Sequence, residues 1–152
     1  MKIKTFLGII LTIFLLLVIG FLLFNNLTAQ NTVSVGDANF LLPEGYKENG
    51  VNKFGALTIT NGKNEIYIIE QNDANVNKYI LEYNNVVKHK NETMSIENVT
   101  INNTMFYKSK NINTPEVVHM WFVKNGKTYE IYKYDNNSKF EDEVIYLHNH
   151  MT

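Results

Sequence analysis

Four histidines (His89, His119, His148 and His150), four serines and fifteen carboxylic acids are the side chains of this 152-residue chain that could move protons, attack or hold a metal; it has no cysteine. The thiol route to covalent catalysis is therefore closed, and none of Ser34, Ser95, Ser109 and Ser138 stands in G-x-S-x-G or S-x-x-K. His148-Asn149-His150 brings two imidazoles close together, with Glu141, Asp142 and Glu143 nearby. An H-x-H without a second ligand pair at metal spacing reads as solvated chain, so no metal ligand is assigned. Glycine-rich phosphate cradles are absent, and no cofactor or catalytic residue is assigned either. Two carboxyl groups flanking a glycosidic bond would meet only in space, which keeps an extracytoplasmic hydrolase using carboxylates as the competing reading.

The densest chemistry lies in one stretch. Glu116 to Val123 and Thr128 to Tyr134 flank Asn125-Gly126, a dipeptide suited to a two-residue type I′ turn. That loop opposes Phe122 to Tyr129, Met120 to Ile131 and Val118 to Lys133 on one face. The other face carries Val117, His119, Trp121 and Val123 opposite Tyr134, Tyr132, Glu130 and Thr128. A hairpin with one wet face alternates more cleanly with polar residues, so the second face is either covered by another element, the C-terminal helix or the N-terminal segment, or kept for a partner. If uncovered, His119, Trp121, Glu130, Tyr132 and Tyr134 form an amphipathic patch suited to a sugar ring, a peptide or another surface protein.

Charge narrows the partners. The chain has 14 Lys and no Arg, and bidentate phosphate or carboxylate recognition is Arg chemistry. From residue 32 onward 12 Lys face 15 acids, a near-neutral stretch without a basic tail, which argues against nucleic acid.

Location comes from the first residues. Phe6 to Phe24 holds nineteen residues without a charge. At 1.5 Å per residue it is about 28 Å long as a helix, close to the hydrocarbon thickness of a bilayer. The stretch exceeds the roughly 7 to 15 apolar residues of a cleaved signal, and Leu27 occupies a position where a small side chain is wanted, so a retained anchor is favoured over a signal peptide. Lys2 and Lys4 precede it and no Lys follows until Lys47, which places the N-terminus in the cytoplasm and the rest outside. The expected organisation is a cytoplasmic N-terminus at 1–5, a transmembrane signal anchor at 6–24, a tether at 25–31 and an extracytoplasmic domain at 32–152. Asn-x-Ser/Thr triplets at Asn26, Asn91, Asn98, Asn102 and Asn136 are sites for a glycan if the host makes one.

Strand and turn signals alternate through the outer domain. Thr32 to Val35 and Asn39 to Leu42 are split at Gly36-Asp37; Phe54 to Thr60 and Glu65 to Glu70 flank Asn61 to Asn64, by a two- or four-residue loop; Met94 to Ile101 and Thr104 to Lys110 flank Asn102-Asn103. Val76, Tyr79, Ile80, Tyr83, Val86 and Val87 form one stripe at helical spacing, with Asp73 as the expected N-cap. A short final helix follows a capping box at Ser138 to Glu141, its apolar positions Phe140, Val144 and Leu147. The fold class is α+β: one antiparallel, twisted sheet built from hairpins, two packed helices, and a transmembrane helix in front.

The segment ending in Leu42 to Tyr46 (LPEGY), the Asn-Gly hairpins, the mid-chain helix and the run from Trp121 to Tyr134 (WFVKNGKTYEIYKY) before a capped helix resemble small PsbP-like domains. They resemble equally uncharacterised archaeal membrane-anchored surface proteins of the same layout. The resemblance spans roughly residues 32 to 148. It implies an antiparallel sheet flanked by helices and a non-enzymatic accessory or binding role, and it assigns no site residues. The function expected is a membrane-anchored binding module that meets an envelope protein or a cell-wall component.

Overall fold

The computed structural model describes residues 13–20, 31–135 and 139–152. The chain divides into two compact units, Met1–Asn31 and Thr32–Thr152. In the first, residues 13–20 are helical and their apolar side chains, Phe14 and Leu17 among them, are exposed. The remainder of the expected span at 6–24, and Asn26 in the tether, lie outside the described residues. Among the described residues no helix is long and apolar enough to cross a membrane.

The second unit holds nine strands and two helices: β1 (Thr32–Val35), β2 (Ala38–Leu41), β3 (Lys47–Val51), β4 (Leu57–Thr60), β5 (Glu65–Gln71), the central helix (Val76–His89), β6 (Met94–Ile101), β7 (Thr104–Asn111), β8 (Val118–Lys124), β9 (Lys127–Lys133) and the C-terminal helix (Phe140–Asn149). Seven strands form one antiparallel sheet in the order β3-β4-β5-β9-β8-β7-β6, while β1 and β2 form a separate two-stranded sheet, with Phe40 of β2 also bridged to Met151. The α+β class therefore holds, with two sheets in place of the one expected.

The turns follow their residues. Asn125 and Gly126 have φ of 53° and 77°, and Asn102 and Asn103 of 48° and 62°, the left-handed geometry of type I′ loops. The register of β8 and β9 is the expected one, with Phe122 opposite Tyr129, Met120 opposite Ile131 and Val118 opposite Lys133. Between β4 and β5 the four-residue loop wins, pairing Thr60 with Glu65 and setting Leu57 and Ile59 against Ile68 and Ile66. The segment expected as strand from Phe54 begins at Leu57, because Asn52 Oδ1 accepts from the amides of Phe54 and Ala56 and bends residues 52–56 into a turn. Strand β3 itself has no apolar alternation to announce it: all five of its residues are exposed.

The connection from β5 to β6 skips β9, β8 and β7. Four strand intervals of about 4.8 Å make roughly 19 Å, and the 14-residue central helix, about 21 Å long, is long enough to bridge them along the sheet face. Its N-cap is Asn75, whose side chain accepts from the Lys78 amide. Asp73, the expected cap, accepts instead from the amide of Asn75, two residues further on. Ser138, the expected cap of the C-terminal helix, lies outside the described residues.

Each face of the large sheet has its own cover. On one, Ile59, Ile66, Ile68, Phe106, Met120, Phe122, Tyr129 and Ile131 pack against Val33, Val35 and Phe40 of the small hairpin and Phe140, Val144 and Leu147 of the C-terminal helix. On the other, Val76 and Tyr79 of the central helix pack on Trp121, with Ile80, Tyr83, Ile96 and Tyr107 beside them. The cover of the aromatic face is thus the central helix; the C-terminal helix and the N-terminal segment, the elements expected there, sit on the opposite face. The chain order decides it, since only the central helix has to travel across the sheet.

Candidate functional site

Seven strands at about 4.8 Å spacing make a face roughly 29 Å wide, and the central helix, about 21 Å long, does not cover all of it. Beside the central helix a groove of about 480 Å³ is left. Its floor is β5, β9 and β8 through Ile69, Tyr132, Glu130 and His119; its walls are Tyr83, Val86 and Val87 of the helix, Asn111 at the end of β7 and Thr114 beyond it.

The floor is a ladder of rings made by cross-strand register. Tyr67 of β5 faces Tyr132 of β9, which faces His119 of β8. Tyr132 stacks on Tyr67 at 4.9 Å between centroids and 14°, and on His119 at 4.7 Å and 8°. Tyr83 reaches down from the helix to 3.8 Å from the His119 ring, and Trp121 continues the ladder at 5.5 Å. Tyr134 meets Tyr132 edge-on at 5.7 Å.

His119 and Glu130 are diagonal neighbours on adjacent strands, and both are buried. His119 Nδ1 lies 2.6 Å from Glu130 Oε1. A carboxylate accepts, so Nδ1 donates to Glu130, while Nε2 has no hydrogen-bond partner among the described residues. The His119 amide donates to Ser109 Oγ at 2.9 Å, which fixes the strand under the ring. Burial pushes the Tyr132 hydroxyl up to about 12 and raises that of Tyr83, so both stay protonated at neutral pH.

The far wall is built at the helix C-terminus. Asn91 takes φ of 57° and the Glu92 amide returns to the Val87 carbonyl, which reverses the chain and carries Glu92 back to the groove. Thr114 donates to Glu92 Oε2 at 2.7 Å. Its oxygen is then free to accept from Asn111 Nδ2 at 3.3 Å, and the same nitrogen donates to the Tyr83 hydroxyl at 2.9 Å. The rim is apolar and exposed, with Phe54 at 68%, Val86 at 51% and Tyr134 at 51%.

The expected patch of five residues is therefore divided. His119, Glu130, Tyr132 and Tyr134 line the groove, whereas Trp121 is fully buried under the helix and belongs to the core. Tyr83, Asn111, Thr114, Glu92 and Phe54 complete the site from the helix, the end of β7 and the loops. Tyr83 was legible only as one position of an apolar stripe. The two C-terminal histidines are engaged separately: His148 is buried, with Nε2 3.2 Å from Thr104 Oγ1, and His150 stacks on Tyr146 at 4.2 Å. Of the glycan triplets, Asn91, Asn98 and Asn102 are exposed, and Asn26 and Asn136 lie outside the described residues.

The sequence matches no protein-family model and no curated protein. Among solved structures, the chain is similar to the solution structure of cyanobacterial PsbP (CyanoP) from Synechocystis sp. PCC 6803. The likeness has a TM-score of 0.49 at 8% identity and covers 80% of this chain and 90% of that one. The expected PsbP-like resemblance thus has a counterpart among solved structures, at a level that carries no residue, ligand or partner across.

Proposed function

We propose that the protein is a membrane-anchored, extracytoplasmic binding or accessory module without enzymatic activity, and that its binding site is the groove between the central helix and the sheet. The observation that supports it most is the pairing of an exposed apolar rim, Phe54, Val86 and Tyr134, with a concave interior lined by rings and a few fixed polar groups. Pockets of this volume and lining are the usual form of small-ligand sites. The partner read from the sequence, an envelope protein or a cell-wall component, would offer an apolar or ring-bearing group to that groove. The anchor rests on the uncharged stretch 6–24 and the Lys residues before it; extraction that requires detergent supports it, and release by a salt wash alone removes it.

The binding reading is tested by thermal melting with a panel of small amphiphiles. A ligand at a hundred times its Kd stabilises by about 2.7 kcal/mol, enough for a rise of several degrees. The rise should vanish in Val86→Trp, which fills the mouth from an exposed helix position. Equal rises in both proteins place binding elsewhere and end the reading.

One observation favours the hydrolase as the second reading: the groove is concave and holds two acids, Glu92 and Glu130. A chromogenic glycoside or ester turned over by the wild type and spared by Glu130→Gln would establish it.

A further inference from the structure

Among the buried side-chain polar atoms without a hydrogen-bond partner in the described residues, two face each other: Lys133 Nζ and Glu143 Oε2, 3.7 Å apart. The Lys133 side chain is 0% exposed and that of Glu143 12%. Lys133 stands opposite Val118 in the register of β8 and β9, on the sheet face closed by the small hairpin and the C-terminal helix, and Glu143 comes from that helix. Buried opposite charges have given up water and most need a close contact in return. Two residues earlier on the same helix, Glu141 meets Lys108 at 2.8 Å although both are partly exposed. The buried pair stops short of a hydrogen bond where the wet pair makes one.

The groups around that gap are set on the carboxyl and the amine. Tyr46, itself buried, donates its hydroxyl to Glu143 Oε1 at 2.6 Å, so Oε2 is the oxygen that faces the amine. Asp135 Oδ1 lies 3.8 Å from the same Nζ, on a side chain that is 59% exposed. An amine held against a carboxyl, a hydroxyl on the oxygen that must stay, and a second carboxylate in reach of both the amine and water are the parts of an amide-forming site.

We propose that Lys133 and Glu143 condense to an isopeptide bond that joins β9 to the C-terminal helix. A proton first passes from the Lys133 ammonium to Glu143 Oε2. The amine nitrogen then forms its bond to the Glu143 carboxyl carbon, and the charge that grows on Oε1 is received by the Tyr46 hydroxyl. Asp135 takes a second proton from the nitrogen and returns it to Oε2; the bond from carbon to Oε2 breaks and one water leaves. An ammonium and a carboxylate become an amide and water, with no other reactant. Nζ loses its charge and Oε2 leaves, so one bond removes both unsatisfied groups from the core. In a chain without cysteine the link is a covalent tie made without thiols, and it does not depend on the groove.

The test uses the full chain in a neutral detergent, produced in a host that adds no glycan, then denatured and cut with trypsin. Linked Lys133 resists cleavage, so residues 128–139 and 140–152 should appear as one branched fragment, lighter than their sum by about 18 Da, the mass of one water. Lys133→Met keeps a buried stem without the amine and should release the two fragments separately with no mass lost, far-UV circular dichroism confirming the fold. Asp135→Asn changes an exposed position and should slow the linkage about a hundredfold, read as the linked fraction against time after a pulse of synthesis. Equal time courses overturn the proton relay. A loss of about 18 Da confined to residues 128–139 overturns Glu143 as the partner. Cleavage after Lys133 in the wild type, with every fragment at its unmodified mass, overturns the bond itself.

Discussion

The two faces of the large sheet are covered by different amounts of chain, and they close to different degrees. One face receives a hairpin and a helix, and there a carboxylate closes on its donors. Glu70, on the edge of that core, accepts from the Asp37 amide at 2.9 Å, the Tyr129 hydroxyl at 3.0 Å and Lys127 Nζ at 3.2 Å. The other face receives one helix, and at its margin rings stay reachable and an amide oxygen goes without a donor. The first arrangement resists change because three donors hold one carboxylate in place; the second leaves a groove beside the helix.

The largest effects should show where both faces are truly closed. Trp121→Ala beneath the central helix and Phe122→Ala beneath the hairpin and C-terminal helix should each cost about 3 to 5 kcal/mol in urea denaturation, because each empties a fully buried site. A cost below about 1 kcal/mol for Trp121→Ala would mean that the helix does not seal its half of the face. Next comes Gly36→Ala, at about 2 to 3 kcal/mol. Gly36 has φ of 60°, and a Cβ there would collide with the Glu70 carboxyl, which three donors hold in place. An unchanged denaturation midpoint would show that the hairpin is not locked against β5.

Glu70 also gives the closed face a pH signature. Burial alone would push its carboxyl up, but the Asp37 amide, the Tyr129 hydroxyl and Lys127 together outweigh burial and hold it below the ordinary carboxylate value. The folded value lies below the unfolded one, so this stabilisation is complete above the ordinary range and is lost as pH falls through the folded value. Glu70→Gln should cost about 1 to 2 kcal/mol near neutrality, and its deficit should shrink on acidification. A gap that stays constant from neutral pH to pH 3 would refute the assignment. His148, kept below the usual histidine value by burial first and by Lys124, adds a smaller loss that begins as pH drops below about 6.5.

What the sequence revealed follows the same division. The turns at Asn102-Asn103 and Asn125-Gly126 and the pairing of Phe122 with Tyr129 were legible because left-handed dipeptides and period-2 alternation are local signals. Strand β3 was not, since Lys47 to Val51 is polar, wholly exposed and bulged between Glu48 and Val51. The placing of the central helix is a long-range outcome: it depends on β9 pairing with β5, which sends β6 to the far edge. Without that pairing Trp121 reads as surface, and Tyr83, Asn111 and Glu92, distant in sequence, give no sign that they meet around His119. The residues His119, Glu130, Tyr132 and Tyr134 were found because one hairpin carries them all.

The smallest expected effect on stability is also the sharpest test of the open face. Phe54 is 68% exposed with Lys53 Nζ 5.0 Å above its ring, and Tyr134 is half exposed with only its edge against Tyr132 and Tyr67. Neither closes a core, so Phe54→Ala and Tyr134→Ala should each fall within about 0.5 kcal/mol of the wild type. An exposed ring that contributes little to folding yet stands at a groove mouth still offers area to a ligand, and the same two changes should weaken amphiphile binding severalfold. If Phe54→Ala instead costs more than about 1 kcal/mol with binding unaltered, the rim is structural, and the contrast between a closed and an open face fails where it is most exposed to test.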